Sequence, residues 1–196
     1  LLNCLPTKIT AEDEDDDKSI TISLSGRPNV GKSFLFNTLA GKQQAVVANV
    51  AGTTRDLNRI PIKYKGQLIE LIDTAGIRKP GKQETGIEKF SVLRTLQAIE
   101  ESDVCLILVD GTDYGTQLDQ KLAGVIDEAG KGMIVVVTKS DLIPEEVDKD
   151  SIIHKMAERF KFAPYAPLIF TSSVTGKNVT KIFELASEII NRRRQN

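Results

Sequence analysis

The sequence predicts an α/β domain of three layers: a mostly parallel six-stranded sheet with one antiparallel edge strand and helices on both faces. Three observations carry this. Apolar runs of strand length alternate along the chain with segments whose apolar residues recur at helical spacing, the pattern of a parallel sheet with crossover helices. Two strand-like runs are separated only by Tyr64-Lys65-Gly66-Gln67, too short for a crossover, so they form an antiparallel hairpin. A glycine-bearing loop, Gly26 to Ser33, joins the first strand-like run to the first helix-like run.

The elements follow in order. Ser19 to Ser25 alternates Ile20, Ile22 and Leu24 with small polar residues and reads as a strand, and Phe34, Leu35, Phe36 and Leu39 continue at helical spacing through a helix over 32–40. Strands over 57–64 and 67–73 make the hairpin, and a helix over 84–100 follows. The run Val104 to Asp110 is a strand, 117–129 a helix, and 132–138 a strand whose continuous apolar core, Met133 to Val137, implies burial on both faces. A helix over 145–160, a strand over 167–171 and a helix over 179–192 complete the order; Ile182, Leu185, Ile189 and Ile190 give the last helix one apolar face.

Gly26-Arg27-Pro28-Asn29-Val30-Gly31-Lys32-Ser33 fits the phosphate-binding pattern GxxxxGKS, here in the strand-loop-helix context that the chemistry needs. Unpaired amides at a helix N-terminus and the positive end of the helix dipole suit a nucleotide β-phosphate. The two glycines let the backbone curl round the phosphates, Lys32 reaches the β and γ oxygens, and the Ser33 hydroxyl can ligate Mg²⁺, with Phe34 next in line on the helix. The fold expected is therefore the P-loop NTPase type.

Thr138-Lys139-Ser140-Asp141 follows the buried strand and is close to the guanine-reading pattern NKxD, with Thr in place of Asn. A carboxylate at Asp141 accepts from the ring NH and the amino group of guanine, whereas adenine would leave a buried acceptor facing an acceptor, at a cost of roughly 1–3 kcal/mol or more. Lys139 would lay its stem across the base. Thr138 offers one hydroxyl where Asn offers a whole amide, which predicts guanine affinity weaker by about tenfold if one hydrogen bond of ~1 kcal/mol is lost. Asp73-Thr74-Ala75-Gly76 closes a strand in the DxxG pattern: Asp73 would hold the Mg²⁺ shell and the Gly76 amide would reach the γ-phosphate. Gly52-Thr53-Thr54-Arg55-Asp56 stands in a polar connection where a first switch belongs, and one of its threonines would complete the Mg²⁺ coordination.

With GRPNVGKS, AGTTRD, LIDTAGIRK, EKFSVLRT and YAPLIFTSS in hand, the chain resembles the Era/TrmE-like branch of translation-factor-related GTPases, and within it the second G domain of the Der/EngA family of tandem GTPases. The resemblance runs from Ser19 to about Ile190. It implies GTP and GDP as ligands, Mg²⁺ on Ser33, Thr54 and Asp73, and a catalytic set of Lys32, Asn29, Thr54 and Gly76. It also implies that Ser172, Ser173 and Val174 present backbone NH groups to the guanine carbonyl, with Ser173 replacing the usual Ala. Ile77 follows Gly76 where small GTPases carry a water-orienting Gln, and an aliphatic side chain cannot position water. Relatives without that Gln use a potassium ion, which here would sit on Asn29, Thr53 and carbonyls near Ala48 and Val50, as an added cation where phosphoryl transfer spreads negative charge. The resemblance further implies a role in large ribosomal subunit assembly, contact with that subunit or its rRNA through a longer protein, and a monomeric isolated domain.

Composition agrees. The 196 residues, with a net charge of −1, hold one domain's worth of apolar content and give no bulk sign of nucleic-acid binding. No run is long enough for a membrane span or signal peptide, and Cys4 and Cys105 do not make a disulfide framework, so a cytoplasmic location is expected. Glu12 to Asp17 is a like-charge run that reads as a solvated linker, so residues 1–18 are taken as linker plus the end of a preceding element and 19–194 as the GTPase domain of a multidomain protein. Arg192 to Arg194 suit the negative end of a helix dipole, with RNA contact as the alternative. His154 is expected at the surface. Two function classes stay open: a GTP-hydrolysing switch, or a guanine-nucleotide-sensing module with negligible turnover.

Overall fold

A computed structural model describes residues 19–41, 58–73 and 88–195, with the side chains of Asn58, Asp73 and residues 88–92 excepted. Its elements are β1 (Ile20–Gly26), α1 (Lys32–Gly41), β2 (Asn58–Tyr64), β3 (Gln67–Asp73), α2 (Glu88–Glu100), β4 (Val104–Asp110), α3 (Gln117–Glu128), β5 (Gly132–Thr138), α4 (Lys149–Arg159), β6 (Leu168–Phe170) and α5 (Lys181–Arg194). The sheet runs β2-β3-β1-β4-β5-β6, with β2 antiparallel at one edge and every other pairing parallel.

Strand periodicity explains the layering. In β4 the side chains of Val104, Leu106 and Leu108 enter one apolar cluster, packed under α1 (Leu35, Phe36, Leu39) and α5 (Ile182, Phe183, Ala186). Cys105, Ile107 and Val109 enter the other, beneath Ile99 of α2, Ala123 and Ile126 of α3 and Ile152 and Met156 of α4. A strand covered on both faces needs apolar residues at every position, and β4 and β5 are buried along their whole length. Each large side chain so buried contributes about 1.5–3 kcal/mol relative to exposure, which makes this two-sided core the main source of stability. Cys105 is one of these core residues; burial pushes its thiol pKa up, and its Sγ lies 3.1 Å from Ser102 Oγ.

The hairpin is tight for the expected reason. Lys65 (φ 48°) and Gly66 (φ 88°) both take left-handed conformations, as a two-residue loop between twisted strands requires. Tyr64 Oη (3.0 Å) and Lys65 Nζ (2.7 Å) donate to Glu184 Oε1, which fastens this edge of the sheet to α5.

Two helices, α4 and α5, depart from expectation by two residues or more at a described limit. The helix expected from 145 begins at Lys149: Val147 N donates to the Pro144 carbonyl in a turn, and Asp148 caps the helix by accepting from Asp150 N at 3.1 Å. The last helix starts at Lys181, not 179, and continues to Arg194. Residues 84–87 of the expected second helix lie outside the described residues. His154 is exposed on α4, and among the described residues no helix is long and apolar enough to cross a membrane.

Candidate nucleotide site

β1 lies at the centre of the sheet and ends beside Leu108 of β4. A Cβ on Gly26 would stand 2.8 Å from the Leu108 carbonyl oxygen, so only glycine lets the chain leave the strand here. Gly31 (φ 100°) then turns the chain into α1, whose first turn carries no acidic residue to neutralise its amide groups. Lys32 folds back over the loop: its Nζ donates to the carbonyls of Gly26 (2.8 Å) and Arg27 (2.7 Å), and burial lowers its pKa. Ser33 and Asn29 are exposed at the mouth of the loop, with Phe34 69% exposed beside them. Such a loop offers a caged ammonium, free helix-end amides and a hydroxyl within one turn, the donor set for a polyphosphate and its magnesium.

Arg27 and Pro28 were expected as part of this cradle. The Arg27 side chain instead turns to the β4–α3 connection, where Nη1 donates to Asp113 Oδ2 at 2.6 Å and Nη2 to the Asp113 carbonyl. Its Nε lies 3.5 Å from Oδ1 of the fully buried Asp119. The hydrogen bond to Asp113 raises the Arg27 pKa, outweighing the opposing effect of burial. Asp119 is itself half of a capping box: its carboxylate accepts from Thr116 N (3.0 Å), and Thr116 Oγ1 accepts from Asp119 N (3.3 Å). Neither partner of Arg27 was visible in the sequence, since both lie far along the chain with no motif linking them.

The side on which the sequence places the base is assembled from β5 and β6. Thr138 is buried, and its Oγ1 donates to the Val30 carbonyl of the phosphate loop at 2.7 Å, with the Val109 carbonyl at 3.2 Å. A hydroxyl has one proton, so the shorter contact takes it. This hydrogen bond ties the loop after β5 to the phosphate loop; what Thr138 lacks beside Asn is a second polar group to turn toward a purine. Lys139 (φ 54°) donates from Nζ to Asp110 Oδ2 at 2.6 Å, while Asp110 Oδ1 accepts from Thr112 N (2.9 Å) and Oγ1 (2.7 Å). Burial raises the Asp110 carboxyl, and the hydrogen bonds from Lys139 and Thr112 more than reverse this, leaving its pKa below the ordinary value. Sequence reasoning missed Asp110; an acidic residue ending an apolar strand is the signal that could have found it.

Asp141 is exposed, on a turn held by Ser140 N to the Thr171 carbonyl (3.0 Å) and Leu142 N to the Lys139 carbonyl (2.9 Å). Ser172 is buried and braces its own loop, accepting from Thr175 N at 3.1 Å, and leaves Ser173 part-exposed and Val174 79% exposed. The loops after β1, β5 and β6 thus share the C-terminal end of one parallel sheet, where ligands of such sheets bind. Asp73 ends β3 at that same end. Its side chain, and Ala48, Val50, Thr53, Thr54, Gly76 and Ile77, lie outside the described residues.

The sequence profile described as "50S ribosome-binding GTPase" matches residues 21–139, from β1 to Lys139. The chain belongs to this GTPase family. Membership implies a guanine nucleotide as ligand, usually together with magnesium. Within the GTPases, the chain is 47% identical over 184 residues to GTPase Der of Chloroflexus aggregans, covering 93% of this chain and 41% of that protein. It is 48% identical over 179 residues to GTPase Der of Herpetosiphon aurantiacus, covering 91% of this chain and 39% of that protein. The chain thus spans about two fifths of the length of the curated relatives it matches. Among solved structures, Era in complex with MgGDPNP and nucleotides of 16S ribosomal RNA superposes with a TM-score of 0.64 at 28% identity, covering 85% of this chain and 55% of that one. The G domain of the FeoB iron transporter of T. maritima gives 0.60 at 28% identity, covering 88% and 99%.

Proposed function

We propose that this chain binds GTP and hydrolyses it to GDP and phosphate as the switch domain of a longer protein acting on the large ribosomal subunit. The observation that carries the reading is the Thr138 hydrogen bond to Val30, which locks the phosphate loop and a base-reading loop into one site. Residues 19–194 form the G domain in this reading, and residues 1–18 the acidic linker before it. The subunit as partner rests on the family and on the likeness to Der.

In that site Lys32 would neutralise the β and γ oxygens, the α1 amides would hold the β-phosphate, and Asp141 with the Ser173 and Val174 amides would read guanine. Ser33, with Thr54 and Asp73, would hold magnesium, which when bound draws charge from the phosphates. Asn29, exposed at a left-handed turn (φ 62°) of the loop, and Thr53 would hold potassium in the role that a polar side chain at Ile77 would otherwise share.

GTP turnover measured with magnesium in potassium and then in sodium, for the chain and for Asn29→Ala, tests this. Turnover that is faster in potassium and loses that advantage in the variant is expected. Equal rates in the two salts would remove the potassium role. Tight GDP binding with no turnover in either salt would overturn hydrolysis and leave a nucleotide-sensing module, the reading that Ile77 favours.

A further inference from the structure

Asp110 is a buried carboxylate to which the nucleotide reading gives no task. It ends β4 directly beside Thr138 of β5, and the backbone fixes that pairing: Gly111 N donates to the Thr138 carbonyl at 3.0 Å, and a Cβ on Gly111 would stand 2.7 Å from the same oxygen. The two carboxylate oxygens have separate partners. Oδ1 accepts from Thr112 N (2.9 Å) and Thr112 Oγ1 (2.7 Å), which braces the loop after β4, and Oδ2 is left for Lys139 Nζ at 2.6 Å. The side chains are 13% and 35% exposed, so water and salt screen this pair less than one on the open surface. Lys139 also holds a left-handed backbone (φ 54°), which glycine or asparagine adopts more readily, so a lysine at this position needs a side-chain reason.

We infer that Asp110 is a positioning residue for the nucleoside: its Oδ2 anchors the Lys139 ammonium, so that the lysine stem is ordered before the base arrives to lie against it. A free lysine side chain samples many rotamers, and ordering it only when ligand binds subtracts from affinity. Thr112 in turn keeps the carboxylate from swinging away, since a backbone NH and a hydroxyl both hold the oxygen that Lys139 does not use. Asp110 thereby favours a nucleoside phosphate over bare polyphosphate while acting only through Lys139. This role rests on the guanine-nucleotide reading of the site, and it does not depend on hydrolysis.

Asp110→Asn separates the brace from the anchor. The amide oxygen still accepts from Thr112, but the NH₂ that replaces Oδ2 is a donor facing the Lys139 ammonium, so the loop is kept and the lysine is set free. Lys139→Met breaks the same contact from the other side and keeps an apolar stem. Calorimetric titration of GDP and of inorganic tripolyphosphate is run on the whole chain, on each variant and on the two combined. Each single variant should bind GDP about tenfold more weakly, and the combination no more weakly than either alone, as expected of residues that act through one contact. Tripolyphosphate binding by Asp110→Asn should not weaken. Losses that multiply to about a hundredfold in the combination, an equal loss for tripolyphosphate, or unchanged GDP affinity in either single variant would overturn the role and leave Asp110 a brace of its loop. A parent chain that binds tripolyphosphate but not GDP would overturn the guanine-nucleotide reading itself, and the role with it.

Discussion

The phosphate loop after β1 is shaped by its backbone, whereas the loops after β5 and β6 are held by side-chain hydroxyls and carboxylates. At Gly26 the main chain passes so close to Leu108 that a single added carbon is refused, and Lys32 is caged by two main-chain carbonyls. On the other side Thr138, Asp110 and Ser172 each spend a side chain on bracing these loops. Phosphates are common to all nucleotides and can be read by invariant backbone geometry. Bases differ, and a loop hung from side chains can be retuned by one substitution without disturbing the loop that grips the phosphates.

Substitutions that break this division should differ in size and in kind. Lys32→Ala removes the only side-chain cation of the phosphate loop turned onto its carbonyls, and with it two or more charge-assisted bonds to phosphate of about 1.5–3 kcal/mol each. Titration calorimetry should show GDP and GTP affinity falling by about a hundredfold or more, equally for any base. Asp141→Ala should act on the base alone: inosine and guanine nucleotides become nearly equivalent, and the preference for GDP over ADP drops by roughly tenfold or more in competition binding. Retained discrimination would place guanine reading elsewhere.

A smaller change should sharpen the contrast in the opposite direction. Thr138→Asn keeps a donor for the Val30 carbonyl and adds a group that can face the purine, so GDP affinity should rise by about tenfold while the melting temperature of the empty protein stays close to the parent's. The smallest effect is expected of Asp110→Asn, read in urea unfolding as a function of pH. The folded carboxyl titrates below its ordinary value of 3.8, so its contribution to stability is present above about pH 4 and is lost as the pH falls through the depressed folded value. The variant should therefore lose part of the acid limb of the stability curve; an unchanged limb would mean that the Lys139 pairing is not maintained in solution.

Much of this was legible in the chain because strong local signals coincided. The limits of β3, β4 and β5 follow from apolar runs that stop at Asp73, Asp110 and Thr138, where the sheet ends and polar loops begin. The hairpin was legible because Lys65-Gly66 is the only economical way back between two runs so close together. The start of α4 was not, because Glu145 and Glu146 suit a first helical turn as well as they suit the turn they occupy, and the cap at Asp148 decides between them. Long-range partners were hidden altogether. Val30 and Thr138 meet across 108 residues and Arg27 and Asp113 across 86, and only the order of the strands brings them together.

Arg27 joins what the two faces of the sheet keep apart. Its carbonyl helps cage Lys32, which begins α1 on one face, while its guanidinium grips Asp113 and lies beside the buried Asp119 that caps α3 on the other. The end of β1 thus places one residue in contact with the start of α1 through its carbonyl and with the start of α3 through its side chain.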